Sequence, residues 1–122
     1  MARIMVVDDA AFMRLIMKNI VTQYGHEVVA EAADGKIALK LYKQYKPDLV
    51  TMDVTMPEMD GIEALKEIMS FDKEANIVMC SSGGQQIKVY DAFRVGAKDY
   101  ILKPFQEDRV LEAINRILYA SI

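Results

Sequence analysis

Short apolar runs alternate with amphipathic stretches five times along the chain. The runs cover residues 4–7, 28–30, 49–52, 77–80 and 100–102, each of strand length. Between them, apolar residues recur at helical spacing. Phe12, Ile16 and Ile20 are expected to share the inner face of a first helix, opposite Arg14, Lys18 and Thr22, with Gly25 placed to end it. Ile37, Ala38, Leu41, Tyr42 and Tyr45 mark a second helix, closed by Pro47. Ile62, Leu65, Ile68 and Met69 mark a third. A fourth is predicted from about Gln85 to Val95, stopped by Gly96. Val110, Leu111, Ile114, Ile117 and Leu118 mark a fifth, and the chain stops soon after it, at Ile122.

Strands alternating with helices over short links predict a parallel sheet with helices on both faces, the doubly wound α/β class. The first, third and fourth runs are almost wholly apolar, as strands covered on both sides must be. The second ("HEVVAEA") and fifth ("DYIL") carry polar neighbours, which suits edges. With right-handed crossovers, the order 2-1-3-4-5 puts the apolar strands in the middle. No repeat, linker or low-complexity tract interrupts the pattern.

Composition narrows the setting. At 122 residues the chain is sized for one domain, and 52% apolar with 27% charged residues is a globular balance. A net charge of −3 with both signs interspersed offers no basic patch for nucleic acid. The single cysteine, Cys80, excludes an internal disulfide and fits a reducing compartment. The N-terminus enters a strand directly, without the apolar core of a signal peptide, and no apolar run approaches the ~20 residues of a membrane span. A soluble, cytoplasmic protein is expected.

The chemistry gathers at strand ends. Sheets of this class bind ligands beyond the carboxyl ends of their strands, where strand order reverses, here between the first and third. Asp8 and Asp9 end the first strand and Asp53 ends the third. Neighbouring strands lie ~4.8 Å apart, so the three carboxylates are expected to converge. Ser81 and Lys103 end the fourth and fifth strands on the same rim. Capping of the first helix accounts for one acid after a strand. It does not account for two, with a third on the next strand. Clustered carboxylates repel, and a hard cation such as Mg²⁺ relieves that repulsion. An aspartate can also be a nucleophile that forms an aspartyl-phosphate. Lys103 then supplies an ammonium group against the phosphoryl charge.

The stretches "VVDDAAFMR", "DVTMPEMDG", "MCSSGG" and "GAKDYILKPF" stand in an order and spacing that resemble the receiver domains of two-component response regulators, over essentially the whole chain. The resemblance implies a (βα)5, flavodoxin-like fold with the same strand order, and one receiver domain over residues 1–122. It implies that Asp53 accepts a phosphoryl group from a histidine kinase, in a signalling switch and not an enzyme. Asp9, Asp53 and the backbone carbonyl of Thr55 are then direct Mg²⁺ ligands, and Asp8 acts on the metal through water. Lys103 binds the phosphoryl group. Ser81 is the switch hydroxyl, and Tyr100 the aromatic whose rotamer follows it. The Lys103–Pro104 peptide is expected to be cis. The stretches "CSSGGQQ" and "TMPEMDGIEALKEI" are similar to stand-alone chemotaxis regulators. That implies output by direct protein binding at the flagellar motor switch, with a phosphatase as a further partner, and no direct contact with nucleic acid or membrane. One departure stands out. Many receivers carry a larger side chain where this chain has Gly83, so the phosphate is left bare on that side.

Other residues have plainer expectations. His26, the only histidine, opens an edge strand, which argues against a relay or metal role. Cys80 is expected in the core. Met56 and Met59 flank Pro57 in the loop after Asp53, where they are placed to cover the site. Gly61 relieves the backbone as the third helix starts. The fourth helix has an apolar arc, through Ala92, Val89, Phe93 and Tyr90, of roughly 160°, wider than the ~100° that faces a core. Part of it is expected to stay exposed beside Tyr100, unless the fifth helix covers it. Three rival readings stand beside this one. A receiver cut from a longer transcription regulator shares every motif. A Mg²⁺-dependent phosphatase with an aspartate nucleophile needs its two acids on one strand end and a substrate cap. A flavin module of similar fold needs a phosphate loop where this chain has two acids.

Overall fold

A computed structural model describes residues 1–119. Five strands, β1 (Arg3–Val7), β2 (Glu27–Ala32), β3 (Leu49–Asp53), β4 (Ile77–Ser81) and β5 (Asp99–Leu102), form one parallel sheet in the order β2-β1-β3-β4-β5. Five helices alternate with them: α1 (Ala11–Gln23), α2 (Gly35–Tyr45), α3 (Gly61–Phe71), α4 (Gln86–Val95) and α5 (Glu107–Tyr119). The expected doubly wound fold and strand order are those observed. The expected stop at Ile122 lies outside the described residues. Among those residues, no helix is long and apolar enough to cross a membrane.

The sheet separates two apolar layers. On one face Met5, Val50, Met52 and Ile77 pack against α2, α3 and α4 through Ala38, Tyr42, Leu65, Ile68 and Ala92. On the other, Ile4, Leu49, Val78 and Cys80 pack against α1 and α5 through Met17, Ile20, Val21, Val110 and Ile114. Strands β1, β3 and β4 are buried along nearly their whole length, whereas β2 is mostly half-buried or exposed and β5 alternates, as suits edge strands. His26 is buried at the sheet's other end. Its Nδ1 accepts the Ala2 N–H at 3.0 Å, so it serves as a structural acceptor.

The structure departs from expectation at three places, two of them helix faces. Phe12 is 70% exposed, and α1 buries Met17, Ile20 and Val21 instead. Four-residue steps overshoot a helical turn by about 40°, so Phe12 sits about 80° from Ile20 and leaves the core stripe. Ile37 and Tyr45 of α2 are also exposed, for only Ala38 and Tyr42 lie squarely inward. Met56 is buried in the core beside Val54, and Met59 packs against the same cluster, so neither covers the acidic site. The apolar chain after Asp53 is drawn under α3.

Candidate functional site

The rim at the carboxyl ends of β1, β3 and β5 carries the chemistry. Parallel pairing continues past the strands and fixes it there. Met52 pairs with Val7, and Asp53 with Cys80. The Asp8 N–H donates to Ala32 O, Val54 N–H to Cys80 O, and Lys103 N–H to Ser81 O, at 2.8–3.0 Å. Asp8, Asp53, Ser81 and Lys103 are therefore held by backbone that is itself paired or adjoins a paired residue. Carboxylate oxygens of Asp8, Asp9 and Asp53 lie within 4.8 Å of one another. Asp8 and Asp53 are buried, and Asp9 is exposed. Lys103 enters from β5's end. Its Nζ stands 2.8 Å from Asp8 Oδ2 and 3.3 Å from Asp53 Oδ1.

The electrostatics follow from burial and crowding. Burial, reinforced by the Asp8 charge, pushes the Asp53 carboxyl up to about 6, and Lys103 only partly offsets this. Burial alone would lower Lys103, but the Asp8 and Asp53 carboxylates reverse it and hold the ammonium above its ordinary range. Asp53 is thus strained against its charge, yet a carboxyl near 6 is mostly ionised at neutral pH. Three oxygen donors over this spread suit a hard cation and its bound waters. Arg14 closes the back of the cluster, donating Nη1 to Asp8 O at 2.7 Å and Nε to Glu31 at 3.1 Å.

The helix-capping account of the paired acids does not hold. The N-cap of α1 is Ala10, with no side-chain cap bond. Asp8 Oδ1 accepts the Ala10 N–H at 2.9 Å, which turns the chain into the helix without capping it, and its Oδ2 is taken by Lys103. Asp60 and Asp34 are the capping acids, accepting the N–H groups of Glu63 and Ile37 at 2.9 Å.

Ser81 is buried at the end of β4, next to β3. Tyr100 on β5 is 37% exposed and meets Phe93 of α4 edge to face, with ring centroids 6.1 Å apart. A cavity of about 300 Å³, lined by Ser81, Val89, Phe93 and Tyr100 among others, joins the two expected switch residues. Ile87, Tyr90 and Phe93 stay exposed on α4. The fifth helix packs on the opposite face of the sheet, so it does not cover them. The Lys103–Pro104 peptide is cis, as expected. Thr55 is exposed just past Asp53, and its hydroxyl accepts Gln85 Nε2 at 2.8 Å. Sequence reasoning missed Gln85 and Arg14. An arginine on a helix's polar face and a glutamine after Gly-Gly carry no signal of their own.

Under the site, Cys80 is buried as expected. Burial and the Asp53 charge push its thiol far up, away from the reactive thiolate. On β5, Asp99 accepts from Arg109 at 2.7 Å and Arg116 at 2.8 Å, while Arg109 also donates to Tyr100 O.

Comparison with known proteins gives one answer. The family described as response regulator receiver domain matches residues 4–115. The chain is 63% identical to the chemotaxis protein CheY of Bacillus subtilis (strain 168) over 116 residues, covering 95% of this chain and 97% of that protein. It is 56% identical to chemotaxis protein CheY of Thermotoga maritima, covering 94% and 96%. Among solved structures it superposes with TM-score 0.90 on a chain of the CheX–CheY–BeF3–Mg complex of Borrelia burgdorferi, at 38% identity, covering 94% of this chain and 87% of that one.

Proposed function

The chain belongs to the response regulator receiver domain family, and from that membership we propose that it is a phosphorylation-activated switch in chemotaxis, with Asp53 as the phosphoacceptor and residues 1–122 acting as one receiver domain. The observation that carries the assignment of Asp53 is its place, buried between Asp8 and Lys103, with an acidity shifted to about 6. Above that pH it is a carboxylate, the form a nucleophile needs.

The donor is the phosphohistidine of a histidine kinase. An Asp53 carboxylate oxygen bonds to phosphorus as the phosphorus–nitrogen bond breaks, and its electron pair stays on the imidazole. Lys103 already lies 3.3 Å from Asp53, so its ammonium meets the charge that the phosphoryl group brings. Mg²⁺ fits the all-oxygen donor set, with Asp9, Asp53 and the Thr55 carbonyl as the residues to hold it directly and Asp8 through water. When bound it supplies positive charge against the transferring phosphoryl oxygens.

Ser81 then offers a hydroxyl to the new acceptor oxygens, and Tyr100 moves into the space this frees beside β5. The face of α4 and β5 changes shape, and a partner that binds the two shapes unequally reads the change. We place that partner at the flagellar motor switch and the chain in the cytoplasm, by similarity to the chemotaxis relatives. A phosphatase that resets Asp53 completes the proposal. The phosphatase reading of the chain itself is disfavoured, because the acids are split between β1 and β3.

Incubation with Mg²⁺ and acetyl phosphate, followed by intact-mass spectrometry, tests the assignment. One base-labile phosphoryl group is expected on the wild type and none on Asp53→Asn. Phosphate found on Ser81 or His26 would overturn it. Ser81→Ala and Tyr100→Ala are expected to keep the phosphoryl group but weaken phosphorylation-dependent partner binding.

A further inference from the structure

The loops after β3 and β4 border Asp53, and one side chain ties them together. Gln85 donates Nε2 to Thr55 Oγ1 at 2.8 Å, and its Oε1 accepts the Ser82 N–H at 3.0 Å. Among the described residues, this is the only side-chain hydrogen bond between the two loops. Thr55 lies two residues past Asp53, and Ser82 directly follows Ser81. The glycines of the second loop stand in open space, since a Cβ on Gly83 or Gly84 would meet no atom within 4 Å.

The position of Gln85 makes the tie informative. It is the N-cap residue of α4, yet its side chain caps none of that helix's own N–H groups. Caps are ordinarily Ser, Thr, Asp or Asn, whose short side chains reach the first turn. Here a longer amide reaches across to the neighbouring loop instead. Because it uses its donor on one loop and its acceptor on the other, it is fixed in one orientation.

We infer that Gln85 is a latch on the resting state, holding the segment after Ser81 against the segment after Asp53. The inference rests on the roles proposed for Asp53 and Ser81. If Ser81 moves toward a phosphoryl group, Ser82 moves with it. Its N–H must then leave Gln85, or draw Gln85 away from Thr55. At least one hydrogen bond is lost either way, and a net hydrogen bond shifts an equilibrium by about 2- to 10-fold. A phosphate mimic that needs the moved loop binds more weakly by the same factor.

The test is NMR titration of beryllofluoride at saturating Mg²⁺ into wild type, Gln85→Ala, Thr55→Val and the double variant. Gln85→Ala is expected to bind the mimic about 2- to 10-fold more tightly. The double variant is expected to match Gln85→Ala, because both changes remove the same bond. The Ser82 amide is expected to exchange faster in Gln85→Ala before any mimic is added. Unchanged or weaker binding by Gln85→Ala, additive effects of the two changes, or an unchanged Ser82 exchange rate each overturns the latch. Failure of the wild type to bind the mimic at all would instead overturn the assignment of Asp53. Binding by the wild type with no response to Gln85→Ala leaves Asp53 in place and removes the latch alone.

Discussion

The loops on either side of Asp53 are built in opposite ways. The segment from Asp53 to Gly61 is clamped at both ends. A Cβ on Gly61 would sit 2.0 Å from the Asp53 carbonyl oxygen, and one on Gly35 2.2 Å from that of Met59. The Gly61 N–H donates to Val54 O and the Gly35 N–H to Met59 O, at 2.8 and 2.9 Å. Asp60 caps α3. The segment from Ser82 to Gln85 has open space around two glycines, an uncapped helix behind it and one amide across it. The group proposed to react, Asp53, is presented by the rigid loop, and the group proposed to respond, Ser81, precedes the loose one. Chemistry needs fixed geometry. A switch needs two arrangements of similar free energy.

The largest effect that tests this contrast is steric. Gly61→Ala is expected to destabilise the fold by about 3 kcal/mol or more, since a side chain has no room beside the Asp53 carbonyl. Gly83→Ala is expected to change stability by less than about 1 kcal/mol, and in the stabilising direction. Urea melts of both variants measure it, and equal losses would erase the distinction between the loops.

The next effect is electrostatic. The Asp53 carboxyl titrates near 6 in the folded chain against an ordinary value of 3.8, so the folded state holds that proton more tightly than the unfolded one. Its contribution favours folding below the ordinary value and is lost as pH rises through 6. Asp53→Asn removes the titration. It is expected to be more stable than wild type by on the order of 2–3 kcal/mol at pH 7.5, without Mg²⁺, with the gain vanishing by pH 4. Paired melts across that range check the sign, and a gain confined to acid pH would refute it.

The smallest effect concerns the helix starts. Asp60→Ala is expected to cost about 1 kcal/mol. Gln85→Ala is expected to cost less, because no N–H of α4 depends on its side chain. Hydrogen exchange should accordingly be faster in the first turn of α4 than in that of α3. The reverse order would mean that the loose loop is held by something other than Gln85.

Much of this was legible in the chain. The apolar runs fixed strand membership, because a strand buried on both faces has almost no polar residues to confuse it. The acids were legible because they sit at strand ends, where a register step of one residue is small against the reach of a carboxylate. Helix faces were less legible. The stripe through Phe12, Ile16 and Ile20 drifts round the helix, so only part of it could face the sheet. The side of the chain on which Met56 falls depends on how the loop turns, and left-handed Glu58 beside it sets that turn without any glycine to announce it. The Gln85 tie joins residues 30 positions apart through side-chain atoms alone, and no local pattern encodes such a meeting.

Cys80 gives the molecule a clock. Its thiol is the only one in the chain, it lies beside Asp53 on an interior strand, and burial keeps it protonated and out of reach. A thiol reagent can therefore act only during the moments when the middle of the sheet comes apart. The rate at which the native protein is modified counts those openings directly, with no engineered probe. It also means that any cysteine introduced on the surface of α4 can carry a label whose signal belongs to that helix alone.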